Sequence, residues 1–111
     1  MAETFNNASV KLTTTSNTDV YLTPASTGNR AIVLSCLVAN VDGSSAATIT
    51  LWIANSSNTE QSILAKTIAV PPDASIELIP NKVVLTDGQK LRAQAGAAND
   101  LDLTVSVLEI T

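Results

Sequence analysis

The chain of 111 residues contains no histidine, one cysteine and one residue each of phenylalanine, tyrosine and tryptophan. The absence of histidine removes the most common general base and metal ligand, and with it the Ser-His-Asp and Cys-His systems. Cys36, the single cysteine, cannot form a disulfide within the chain, and its apolar sequence neighbours indicate a buried structural thiol. The four glycines are scattered, so no phosphate-binding loop is present. The sequence therefore predicts a protein that is not an enzyme and that binds no cofactor or metal.

Clusters of basic residues and long apolar runs are also missing. The formal net charge is −4, and the six basic residues are spread along the chain, whereas nucleic-acid binding relies on clustered cations. No stretch approaches the roughly 18 continuous apolar residues of a membrane helix. The opening MAETFNNASV has neither the basic nor the apolar region of a secretory signal. We expect no nucleic-acid or membrane partner, and synthesis in a cytoplasm.

Two pairs of carboxylates are the remaining candidates for chemistry. Asp100 and Asp102 project to one side if they lie on a strand, and Asp73 and Glu77 form a second pair. Such pairs can bind calcium or act on a glycosidic bond. The alternative, which we favour, is a charged, solvent-facing edge that discourages aggregation between sheets.

Apolar and polar residues alternate with a period of two from end to end, and no run shows helical spacing. Asp42-Gly43 predicts a hairpin between the strands RAIVLSCLVAN and ATITLWIA, and Asp87-Gly88 marks a second turn. The pattern is typical of an all-β, antiparallel β-sandwich of eight or nine strands, jelly-roll-like or immunoglobulin-like. We expect an N-terminal arm at residues 1–8 and the sandwich at residues 9–111.

The strand that begins at Arg30 is apolar on both faces. Strict alternation places Ile32, Leu34, Cys36 and Val38 on the core face. The opposite face, which a sandwich would expose to water, then carries Val33, Leu37 and Val41. Leu108 and Ile110 lie on the reverse face of the last strand. Because contiguous apolar patches usually mark interfaces, we expect another subunit to cover this surface.

Five residues are candidate interface anchors: Phe5, Val33, Leu37, Val41 and Trp52. Three roles are open for Trp52, which alternates with Ile49, Leu51 and Ile53. Tryptophan is favoured at interface hot spots, large aromatic side chains also fill cores, and an indole ring can stack on a sugar. We place the interface role first.

The phrases VANVDG, LTDGQKL and ANDLDLTVSVLEI resemble those of small structural proteins of tailed bacteriophages, and the resemblance extends from Lys11 to the end of the chain. It implies a virion component without enzymatic activity. Our first hypothesis is a capsid decoration, or cement, protein that stabilises the head by binding major capsid subunits. It would assemble as a homo-oligomer, for which we expect a trimer. The alternative is a tail, neck or fibre component, including a receptor- or glycan-binding module that uses neutral loops such as NSSNTEQ.

Overall fold

The computed structural model describes residues 2–111, which form nine β-strands. The strands are β1 (Glu3–Leu12), β2 (Thr18–Leu22), β3 (Arg30–Asn40), β4 (Ala47–Ala54), β5 (Glu60–Val70), β6 (Ser75–Glu77), β7 (Val83–Thr86), β8 (Lys90–Ala95) and β9 (Leu101–Ile110). No helix in this part of the chain is long and apolar enough to cross a membrane. The predicted all-β class is confirmed.

The strands make two antiparallel sheets. Sheet A has the order β1-β9-β3-β6, with β7 pairing to the same strand, β3, farther along; sheet B has the order β2-β8-β4-β5. The chain changes sheet at every connection except β4–β5 and β6–β7. With β6 and β7 sharing one edge position, this is the eight-position order of a jelly roll. The predicted sandwich is therefore confirmed, and its topology is the jelly roll rather than the immunoglobulin fold.

Both Asp-Gly turns connect different sheets. β3 lies in sheet A and β4 in sheet B, so the hairpin predicted at Asp42-Gly43 is wrong. Asp87-Gly88 likewise joins β7 of sheet A to β8 of sheet B, and Gly88 adopts a φ of +76° that favours glycine. An Asp-Gly pair indicates where the chain reverses, but it does not specify the strand with which the next segment forms hydrogen bonds.

A β-bulge in β3 changes which side chains face the core. The pairing of β3 with β9 shifts between Val33 and Ser35, so that Leu34 is an extra residue in the ladder. Before the bulge the core side chains are Ala31 and Val33, and after it they are Cys36 and Val38. The strict alternation assumed from the sequence is therefore wrong: Val33 is fully buried, and Ile32 belongs to the outer face.

The N-terminal segment is part of sheet A. Residues 3–8, which we expected to form an arm, pair with β9 without a register shift as the first half of β1. Met1, the first residue of the expected arm, lies outside the described residues. The structure therefore shows no boundary between residues 8 and 9.

The core fills the space between the two sheets, with leucine, isoleucine and valine side chains from both.

Two carboxylates accept hydrogen bonds at the edge of the core. The Tyr21 hydroxyl of sheet B donates a hydrogen bond to Glu109 of sheet A. Burial, together with the Glu109 carboxylate, raises the pKa of Tyr21 above its usual value. Glu77 accepts hydrogen bonds from the backbone N–H groups of Cys36 and Ile79 at 2.8 and 2.9 Å, in the gap between β6 and β7.

Candidate assembly surface and polar groove

The outer face of sheet A carries a row of apolar side chains that crosses four strands. Phe5 of β1 is opposite Leu108 of β9, Leu108 is opposite Ile32 of β3, and Ile32 is opposite Val84 of β7. Directly opposed residues in a sheet project to the same side. Phe5 is 76% exposed and Val84 is 56% exposed, while the two residues between them are half-buried. We call these four residues the apolar row.

Polar groups lie on both sides of the apolar row along the strands. Arg30, in the neighbouring cross-strand position, forms an ion pair with Asp87 at 3.7 Å. Toward the other end of the sheet, Lys11 donates a hydrogen bond to Asp102 across β1 and β9 at 2.9 Å. An apolar centre with a charged rim is the usual arrangement of a protein–protein contact surface.

The structure divides the predicted anchor residues into exposed and buried ones. Phe5, Leu37 and Val41 are exposed, Leu37 on the outer face of sheet A and Val41 directly after β3. Val33 is in the core because of the bulge, so its expected place on the outer face is wrong. Trp52 is only 5% exposed. The sequence analysis missed Ile32 and Val84; the outward position of Ile32 follows only from the bulge.

One carboxylate of each pair proposed from the sequence makes structural contacts. Asp102 is paired with Lys11, and Glu77 binds backbone N–H groups. No group of three or more metal-ligating side chains occurs within residues 2–111. On sheet B, Asp19 binds both Lys90 at 3.2 Å and Arg92 at 2.7 Å. Burial raises the pKa of Asp19, but the two cations outweigh it and lower that pKa below its usual value.

A groove with a volume of about 660 Å³ runs over the outer face of sheet B. Thr48, Thr50 and Trp52 of β4 line it at alternate positions, which share one face of the strand. The rest of the lining comes from β5, β8 and the segments beside them: Thr15, Asn17, Glu60, Ile63, Lys66, Thr67, Gln94, Ala95 and Gly96. We call this surface the polar groove, because six of its twelve lining residues carry neutral hydroxyl or amide groups.

Trp52 lies in the polar groove rather than between the sheets. It is opposite Ile63 of β5 on one side and Arg92 of β8 on the other, and it is not a member of the core cluster. Because so little of its ring is accessible, it does not form an open platform on which a sugar could stack. Trp52 is therefore buried on the outer face of sheet B, where it lines the groove.

A strained bulge in β5 shapes one side of the polar groove. Ile49 is opposite Ile68 and Leu51 is opposite Ala65, so Lys66 and Thr67 together face Thr50. Thr67 has a φ of +50°, which is rare for a β-branched residue, and its backbone N–H donates to Thr50 Oγ1 at 3.0 Å. Strained backbone of this kind often occurs at functional sites.

No protein-family model matches the chain, and no curated protein matches it. Solved structures do. A chain in the acidic stable capsid of Helicobacter pylori bacteriophage KHP30 superposes with a TM-score of 0.58 at 13% identity, covering 100% of this chain and 89% of that one. A protein of Bacillus endospore appendages, which are disulfide-linked pili, gives a TM-score of 0.52 at 12% identity, covering 96% and 85%.

A pentameric capsid protein isolated from metagenomic phage sequences is 22% identical over 95% of this chain and 58% of that one. Its TM-score of 0.41 adds nothing to the fold assignment. The two structures with TM-scores of 0.58 and 0.52 share the fold of this chain. The sequence resemblance to small all-β structural proteins of phages is therefore confirmed at the level of the fold, which this chain shares with a phage capsid protein.

Proposed function

We propose that the chain is a non-enzymatic structural protein of a phage virion that decorates the capsid and stabilises it by binding major capsid subunits. The observation that carries this proposal is the apolar row, which leaves Phe5 and Val84 open to water in the isolated chain. The jelly roll shared with a phage capsid protein of similar length supports a place in the capsid. The apolar row supplies the means of attachment.

Attachment of this kind requires apolar area and a polar rim, and no reactive group. Burying one large apolar side chain contributes about 1.5–3 kcal/mol, which corresponds to a tenfold or greater change in affinity. The ion pairs Arg30–Asp87 and Lys11–Asp102 are partly exposed, so they would orient a partner more than they would strengthen its binding. Phe5, Leu37 and Val41 remain proposed contacts, whereas buried Val33 and Trp52 are no longer included.

The proposal includes association of the chain with itself, as a trimer, when it binds the capsid. A surface patch on several copies of one chain can engage repeated capsid subunits at the same time, which raises the overall affinity. Light scattering coupled to size exclusion measures the number of copies. A mass of one chain at all concentrations, in solution and after release from heads, would remove self-association from the proposal.

The proposal is tested with virions of the parent phage. Antibody-gold labelling should mark the heads, and purified chain added to heads stripped of it should bind again. The double variant Phe5→Asp/Val84→Asp should reduce rebinding at least a hundredfold. Leu22→Asp is the matched control, because Leu22 is also an exposed apolar strand residue but belongs to sheet B. We expect it to bind as the unchanged chain does.

Two results would contradict the proposal, the first its decoration role and the second its contact surface. Label confined to the tail or neck would favour the alternative of a tail, neck or fibre component. Equal rebinding by the double variant and the unchanged chain would show that the apolar row is not the contact surface.

A further inference from the structure

We infer that the polar groove of sheet B is a binding site for a neutral oligosaccharide. The groove does not overlap the apolar row, since the two surfaces lie on the outer faces of different sheets. The inference therefore does not depend on capsid attachment, and either can fail without the other. On a particle attached through sheet A, the groove would face outward.

The size of the groove suits a small ligand. Its volume of about 660 Å³ lies within the range of roughly 300–1,000 Å³ that is usual for small-molecule sites. The β5 bulge at Lys66 and Thr67 forms one wall, and Thr15 and Asn17 from the β1–β2 connection contribute to the lining. The groove is open to solvent, so an extended chain of sugar units can enter from the side.

The lining favours a ligand that has hydroxyl groups and carries no charge. Glu60 and Lys66 have opposite charges and leave the groove with no net charge, and the other polar side chains are neutral. Several of their atoms are available to a ligand. Gln94 uses its Nε2 to bind the Thr15 carbonyl, and its Oε1 has no partner among residues 2–111. The Thr50 oxygen accepts from Thr67, which leaves its proton free to donate.

Trp52 supplies a further donor at the groove. Trp52 is only 5% exposed, yet its indole N–H makes no hydrogen bond within residues 2–111. The N–H is not fully enclosed by protein atoms, so it reaches solvent. The hydroxyl groups of a carbohydrate can donate to Gln94 Oε1 and accept from this N–H, whereas an apolar ligand would leave both groups unpaired.

The test uses Trp52 as its own reporter, because it is the only tryptophan of the chain. The full chain is first applied to an array of bacterial oligosaccharides, both neutral and acidic. Neutral glycans retained on the array are then titrated in solution while Trp52 fluorescence is recorded, with maltoheptaose and chitohexaose included as defined probes. We expect a saturable change in emission with at least one neutral glycan, and we expect no acidic glycan to be retained on the array.

Variants connect the signal to the groove. Gln94→Ala should weaken binding at least tenfold, and because Gln94 is exposed the fold should be unaffected. Thr50→Val provides a second variant, with folding checked by circular dichroism. Thr104→Val is the matched control on the outer face of sheet A and should bind unchanged. The inference is overturned if no neutral glycan binds, if only a protein or an acidic glycan binds, or if Gln94→Ala and Thr50→Val both retain full affinity.

Discussion

Glu77 should stabilise the fold by replacing the hydrogen bonds of a missing stretch of edge strand. β6 is paired with β3 as far as Leu37, and β7 takes over only at Val33, so the β3 edge between them has no strand partner. The carboxylate Oε2 accepts from Cys36 N at 2.8 Å and from Ile79 N at 2.9 Å, and Leu78 N donates to Cys36 O at 2.9 Å. Two backbone donors therefore depend on one side chain.

Glu77→Ala removes both acceptors at once. Each buried donor left without a partner costs about 1–3 kcal/mol, which gives about 2–6 kcal/mol for the pair. Since Glu77 itself is exposed, water can partly replace the carboxylate, and we expect the lower end, a loss of about 2 kcal/mol. Glu77→Gln retains a neutral acceptor and should lose about half as much, because charge-assisted hydrogen bonds are roughly twice as strong.

The assay is urea unfolding followed by circular dichroism, with the free energy of unfolding extrapolated to water. Glu3→Ala is the control, because Glu3 is also an exposed strand glutamate but its side chain makes no hydrogen bond within the described residues. It should change the free energy of unfolding by less than about 0.5 kcal/mol. A Glu77→Ala variant as stable as Glu3→Ala would refute the bridging role.

Two further predictions use residues that occur once in the chain. Because burial and Glu109 raise the pKa of Tyr21 in the folded chain, the unfolded chain loses its phenol proton first, near its usual pKa of 10.0. The free energy of unfolding should therefore fall as the pH rises above about 10, and it should fall less in Tyr21→Phe. Urea unfolding at a series of pH values measures this. An equal fall of the free energy of unfolding in both chains would contradict the prediction. Burial, with the Glu77 carboxylate, raises the pKa of the Cys36 thiol to about 12. Ellman's reagent should react with it only in denaturant, and rapid reaction of the native chain at pH 8 would show that the thiol is accessible.

The period-two alternation was sufficient to predict the strands and the sandwich. β9 buries one face, so the pattern of LDLTVSVLEI corresponds directly to the buried Leu101, Leu103, Val105 and Val107. The low charge and the absence of histidine were also properties that any fold of this sequence would retain. The sequence also predicted that both faces of β3 are apolar. The structure agrees, because Leu37 is exposed on one face while Val38 is buried on the other.

Only the tertiary structure decided which residues form the two surfaces. The bulge at Leu34 turns Ile32 outward and Val33 inward, and its position depends on the pairing of β3 with β9, which lies about seventy residues away in the chain. In the same way, Asp42-Gly43 reverses the chain but leads to the other sheet. The β5 bulge builds one wall of the groove, and the burial of Trp52 on the same face likewise became visible only in the structure. Local sequence sets the local backbone preference, whereas register and sheet membership are set by contacts between distant strands.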